Sequence, residues 1–305
     1  MVARLIPERI PERILDAHIH FFDPRRPGGI PWPTPADGVL YQPALPERYS
    51  ALVEPLGVGA AIAVEASPLR ADNDWLLNVA ASDGRIVGVV GNLDPAAEDF
   101  ARELGRLCEL ARVLEQGRLR GRRLLVGLRS GNLWGRDLAR DVADGRTLDH
   151  LRLVAEAGLT LDVANPDFAL VGAVLRIAER VPELRIVVDH LPTMRVVEAE
   201  RQRWCALLAE MGRSGNIFAK ISEIPQRVGG RIPREAGFYQ PKLEAIRASL
   251  GEDRLIFGSD WPNSDRWLNF DETLALVREC VAGWSESALR KFYRDNARRV
   301  YGLDG

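Results

Sequence analysis

Two of the four histidines in this 305-residue chain stand two residues apart, in Asp16-Ala-His18-Ile-His20-Phe21. Residues at i and i+2 of a strand point to the same side, so a strand here presents two imidazoles on one face. Paired imidazoles can ligate one divalent cation or orient a substrate carbonyl. The bland alternative is two histidines that merely pack. It asks for a coincidence, because His is scarce in this chain.

A third histidine, His190, lies in Val187-Val-Asp-His-Leu-Pro192, where an apolar run turns abruptly polar. Asp260 occupies the same kind of position in Phe257-Gly-Ser-Asp-Trp-Pro262. A carboxylate at such a strand end can act as general base on a water and can ligate a metal. For either residue the competing role is a cap or a loop brace. Arg129 (in GLRS) and Lys220 (in AKIS) also close apolar runs. Each suits a substrate carboxylate or a polarised carbonyl, or else a structural ion pair. Glu65, Asp162 and Asn165 are weaker candidates of the same kind, and Trp32 and Trp261 offer apolar walls or plain packing. His150 sits in a helical pattern and reads as a packing residue. Cys108, Cys205 and Cys280 are isolated, with no CxxC pair, so neither a thiolate zinc site nor a disulfide framework is indicated.

The elements that carry these residues repeat. Short apolar runs occur at Ile14–Phe21, Ala60–Ala66, Ile86–Leu93, Leu124–Leu128, Leu159–Val163, Leu184–Val188, Ile217–Ile221 and Leu255–Gly258. Segments of helical spacing lie between most of them, which implies a parallel sheet covered by helices. Eight such units predict an α/β fold, a single (β/α)8 barrel over residues 1–305, whose length suits a fold of typically ~250 residues. Among the helices, DWLLNVAASDG is expected to be capped by Asp72 or Asn73, with Gly84 after its end. A closed barrel makes the first and eighth strands neighbours and brings Asp260 beside His18 and His20. Two segments break the rhythm: 22–46, with seven of the 19 prolines, and 223–238, with Arg227, Arg231 and Arg234. Both follow strands, so both are read as walls of a pocket at the C-terminal face.

Composition narrows the class. Lys plus Arg is 41 and Asp plus Glu is 43, a formal net charge of −2, without the basic footprint of a nucleic-acid binder. The opening MVARLIPERIPERI is broken by Pro7 and Pro11 and lacks the apolar core of a signal peptide, and no apolar run is long enough to cross a membrane. The expectation is a cytoplasmic protein, with self-association into a homo-oligomer left open.

Taken together, DAHIHFFDP, the PGGIPWP loop, VGVVGNLD, DHLP, GSDWP and the closing NARRVYGL resemble the amidohydrolase-2 group, in its branch of sugar lactonases and related lactone hydrolases. The resemblance spans nearly the whole chain and implies a (β/α)8 barrel hydrolase. It makes His18 and His20 the strand-one pair, His190 the residue that polarises the substrate carbonyl and Asp260 the base that activates water. His18, His20 and Asp260 would then ligate one divalent ion, zinc or manganese, with three protein ligands as catalytic zinc tolerates. The chain departs from metal-dependent relatives in lacking a histidine or carbamylated lysine on strands four and five, so metal-free action stays equally open. The function implied is opening of a sugar lactone, or of a carboxylated lactone of aromatic catabolism, with Arg129, Lys220, Trp32 and an arginine of the 223–238 loop holding an anionic or polyhydroxylated small-molecule substrate. Two alternatives remain: metal-dependent decarboxylation of an aromatic or enoic acid, and a barrel that binds a small molecule without catalysis.

Overall fold

The computed structural model describes residues 13–118, 123–194 and 196–303, so the Pro7–Pro11 segment lies outside it. Eight strands form: β1 Ile14–His20, β2 Val58–Val64, β3 Ile86–Asn92, β4 Leu125–Gly131, β5 Thr160–Ala164, β6 Arg185–Val188, β7 Ile217–Ile221 and β8 Leu255–Phe257. They pair in chain order, every pair parallel. Helices cover the outside and side chains fill the inside, which is why each strand reads as a nearly continuous apolar run. This is the (β/α)8 barrel that the sequence predicts.

The ring is completed where the candidate site lies. The Asp260 amide donates to the His18 carbonyl at 2.9 Å and the His20 amide donates to the Trp261 carbonyl at 2.7 Å. Gly258 permits that approach, because a Cβ there would stand 2.8 Å from the His18 Cβ. Below the mouth, Leu15, Ile62, Val90, Val126, Val187, Phe218 and Ile256 form an interior cluster. The helix Asn296–Tyr301 joins that cluster through Ala297, Val300 and Tyr301 and plugs the N-terminal end of the barrel.

Three local expectations need correction. The helix after β2 runs Arg70–Ala81, and its N-cap is Leu69, without a side-chain cap. Asn73 instead is buried and pairs with the Asn92 backbone, donating to its carbonyl at 2.8 Å and accepting from its amide at 2.7 Å. Tertiary pairing has overridden the local capping tendency of the residue type. The 223–238 loop is shorter than read, since a helix starts at Ala236. The 22–46 segment contains a 3-10 turn, Pro35–Leu40, and is tied down by the pairing of Phe22 with Ala44. No helix among the described residues is long and apolar enough to cross a membrane.

Candidate active site

The three histidines and the aspartate expected at the mouth meet there. The His18 ring lies 4.9 Å from that of His20 and 4.5 Å from that of His190, centroid to centroid. Asp260 Oδ1 is 3.2 Å from His20 Nε2, 3.6 Å from His18 Nε2 and 3.9 Å from His190 Nε2. Asp260 Oδ2 accepts a bond from Asn263 Nδ2 at 2.6 Å. Backbone conformation marks the same places: His190 (φ 51°), Glu223 (φ 53°) and Asp260 (φ 62°) are left-handed although none is glycine. Such residues persist only where the surroundings impose them, and they cluster at active sites.

Proton positions follow from the partners. His20 Nδ1 lies 3.0 Å from the Val64 carbonyl, which can only accept, so Nδ1 carries the proton. His20 Nε2 then directs a lone pair at Asp260 Oδ1. Two lone pairs facing across 3.2 Å call for a proton or a cation between them. His18 is flanked by two groups that can only donate, Lys220 Nζ at 3.2 Å from Nδ1 and Arg129 Nη1 at 3.4 Å from Nε2. Burial and the Lys220 charge push this imidazole well below the usual histidine range, so it is neutral and accepts at one nitrogen only. The shorter contact, to Lys220, places its proton on Nε2. His190 Nδ1 meets Ser222 Oγ at 2.8 Å. A donating Ser222 hydroxyl would leave Nε2–H as the free end, and His190 is the most accessible of the three side chains, at 8% against 5% for His20 and 0% for His18.

A second layer of charge lies beneath. Lys220 is fully buried and reaches Asp162 Oδ2 at 2.6 Å and Asp189 Oδ1 at 3.0 Å. Asp162 also accepts from Tyr301 at 2.7 Å and Thr160 at 2.8 Å. Burial opposes the Lys220 charge, yet the two aspartates outweigh it and hold the ammonium above its ordinary range. Neither Asp189 oxygen accepts a well-directed hydrogen bond, so Asp189 is matched by charge alone. Lys220 therefore forms the floor under His18 and presents no surface to a substrate. Arg129 is 6% exposed and donates to Glu65 Oε1 at 2.7 Å and to the Glu65 carbonyl at 2.9 Å, while Trp134 Nε1 donates to Glu65 Oε2 at 3.1 Å. Asp260 would be driven up by burial, but His190, His20 and His18 together hold it well below the usual carboxylate range.

The remaining candidates separate. Trp32 stands edge-on to His20 at 6.4 Å and belongs to the wall of the site. Trp261 is wholly buried against Tyr49 and Phe21, a packing residue. Asn165 donates to the Asn132 carbonyl and braces two loops. His150 stacks on Phe100 at 4.9 Å, away from the mouth. Asp189, Ser222 and Glu223 were not singled out from sequence. The signal available was only that Asp189 and Ser222 directly follow strands and that Glu223 comes one residue later.

A divalent ion fits His18, His20 and Asp260, whose ligand atoms lie within 4.8 Å of one another. The opposed lone pairs of His20 and Asp260 are the observation in favour. Binding through Nε2 would require the His18 proton to move to Nδ1, giving up the Lys220 contact in favour of Asp189 Oδ1, 3.5 Å away, as the outer carboxylate.

Comparison with known proteins places the chain in a family. A family model described as amidohydrolase matches residues 15–303. The chain belongs to the amidohydrolase family. It is 26% identical over 294 residues to an L-fucono-1,5-lactonase of Burkholderia ambifaria, covering 94% of this chain and 92% of that one. It is 28% identical to an L-fucono-1,5-lactonase of Burkholderia multivorans, covering 95% and 96%. A solved amidohydrolase from Burkholderia multivorans with bound zinc superposes with a TM-score of 0.78 at 24% identity, over 95% of this chain and 99% of that one. This amidohydrolase is thus a barrel hydrolase in fold and family.

Proposed function

We propose that this amidohydrolase opens the ring of a lactone by attack of water on the ring carbonyl. The carrying observation is the convergence of His18, His20 and His190 on the single oxygen Asp260 Oδ1, at a rim built from strand ends. The lactonase names of the two relatives support the reaction type. In this reading Asp260 takes the proton of the attacking water. Its low proton affinity makes it a weak base by itself, so the water must be acidified and the developing oxyanion stabilised by neighbouring positive charge. His190 Nε2–H is placed to donate to the carbonyl oxygen. Arg129, pinned by Glu65, adds a fixed positive charge behind His18 and is read as a positioning and electrostatic group. Trp32 walls the ring. A divalent ion, zinc or manganese, at His18, His20 and Asp260 would supply Lewis-acid polarisation of water and carbonyl when bound.

The test is hydrolysis of L-fucono-1,5-lactone and of other aldonolactones by the purified protein and by Asp260→Asn. Turnover by the parent protein is expected, with a loss of about a thousandfold or more in kcat for the variant. Near-normal kcat in a folded Asp260→Asn protein would sink the mechanism. Carbon dioxide release from aromatic acids without lactone turnover would replace the reaction class.

A further inference from the structure

Both cations inside the mouth are already matched. Lys220 faces Asp162 and Asp189, and Arg129 faces Glu65 with Asp189 3.9 Å away. Asp260 completes four carboxyl groups against two fixed cations. A divalent ion at His18, His20 and Asp260 would bring these four to balance, and the Glu223 carboxylate beside them keeps the mouth from an excess of positive charge. The arginines at the outer edge, Arg227 and Arg266, are exposed and lie over the Trp267 ring, at 5.6 and 5.7 Å. Charges so placed are screened by solvent and hold little. A carboxylate beside the reacting carbonyl therefore meets no buried, unmatched cation in the mouth, only the solvent-screened arginines at its edge.

Glu223 adds to this. It follows Ser222, the partner of His190, and its carboxylate comes within 4.8 Å of a ring nitrogen of His190 and an oxygen of Asp260. Among the described residues that carboxylate accepts no hydrogen bond and forms no close ion pair. It is held by a left-handed backbone (φ 53°) at the edge of a cleft of about 770 Å³, shared with Thr193, Gln226, Trp267 and the exposed Arg227. An unbonded carboxyl at the reacting centre is an acceptor waiting for a donor, and a sugar ring offers hydroxyls at that distance from its carbonyl. The bond would be charge-assisted, roughly twice as strong as a neutral one. A substrate carboxylate in the same place would meet like charge instead.

We infer that Glu223 is a specificity-determining residue: it accepts a hydrogen bond from a ring hydroxyl of a neutral, polyhydroxylated lactone and turns away lactones that carry a carboxylate next to the ring. The inference rests on the hydrolytic reading above and decides between its two substrate classes. A site built to receive a hydroxyl discriminates strongly against an analogue that cannot supply one, because its own polar group is left unpaired.

The experiment compares kcat and KM for L-fucono-1,5-lactone and for an aldarate lactone of the same ring size, in which a carboxylate replaces the exocyclic group. The proteins are the parent chain, Glu223→Gln and Glu223→Ala, each checked for an unchanged melting temperature. The parent is expected to prefer the neutral lactone by about a hundredfold in kcat/KM, because the aldarate carboxylate meets the like charge of Glu223. Glu223→Gln should raise KM for the neutral lactone about tenfold, leave kcat within about threefold and narrow the preference. Glu223→Ala should move KM in the same direction. An unchanged KM in both variants overturns the role of Glu223. A parent enzyme that prefers the aldarate lactone overturns the substrate class and leaves the lactonase reading standing. A parent enzyme inert toward both lactones overturns the hydrolytic reading, and this inference with it.

Discussion

Lys220 donates to Asp162 and His18, lies 3.0 Å from Asp189 Oδ1 and has no exposure to solvent. Substituting Lys220→Met would leave two buried carboxylates without their cation. Removing one partner of a buried pair typically costs about 3–5 kcal/mol, far more than an exposed pair is worth. Denaturant unfolding should show a loss of that size. A double variant, Asp162→Asn with Lys220→Met, should recover part of it. A loss below about 1 kcal/mol in the single variant would mean that the floor is not an ion-paired unit. The same residue shows where sequence reasoning stops. A cationic side chain at a strand end was visible, and so was its suitability for an anion. Its actual carboxylate partners sit on β5 and just after β6, and a lone aspartate carries no mark of whom it will face. His18, His20, His190 and Asp260 were legible because each belongs to a compact motif at a strand end.

At the scale of elements, the segment after β8 is latched to the helix Pro46–Val53 through Asp265 and Arg48, 3.4 Å apart. Burial pushes the Asp265 carboxyl up to about 6, only partly offset by Arg48. A carboxyl whose pKa is higher folded than unfolded binds its proton more tightly in the native state. It therefore loses stability as pH rises from the unfolded value, about 4, toward 6, and is flat above that. Asp265→Asn removes this slope. Its melting temperature relative to the parent should improve between pH 4.5 and 7.5, whichever protein is the more stable at the start; a constant difference across that range would contradict the shift. The eight strands were legible from apolar runs alone, to within three residues at each end, because burial on both faces writes itself into composition. Helix starts were less so. Asn73 has the residue type of a cap, and only the distant Asn92 shows that it does something else.

For the whole molecule, the barrel is closed by backbone bonds from Asp260 and His20, so the site and the last seam of the sheet are one structure. Anything bound to His18, His20 and Asp260 clamps that seam. Zinc or manganese at a hundred times its dissociation constant would add about 2.7 kcal/mol to folding. That corresponds to a rise of about 5 °C in the melting temperature of the chelator-treated protein. Elemental analysis should find close to one equivalent in the untreated protein, and His20→Ala should abolish the rise. Full lactonase activity after chelation, with no thermal shift on adding metal, would leave the His20–Asp260 contact bridged by a proton instead.

Tyr301 reaches up from the plug at the base of the barrel to hold Asp162, which holds Lys220, which sets the proton of His18. The catalytic floor thus depends on a residue that the ribosome adds after all eight strands. A chain ending just before Asn296 would carry every rim residue and still lack the Tyr301 contact that orders the floor under His18. Competence would arrive late in synthesis, with the turn of helix that seats Tyr301, and not with the strand that delivers Asp260.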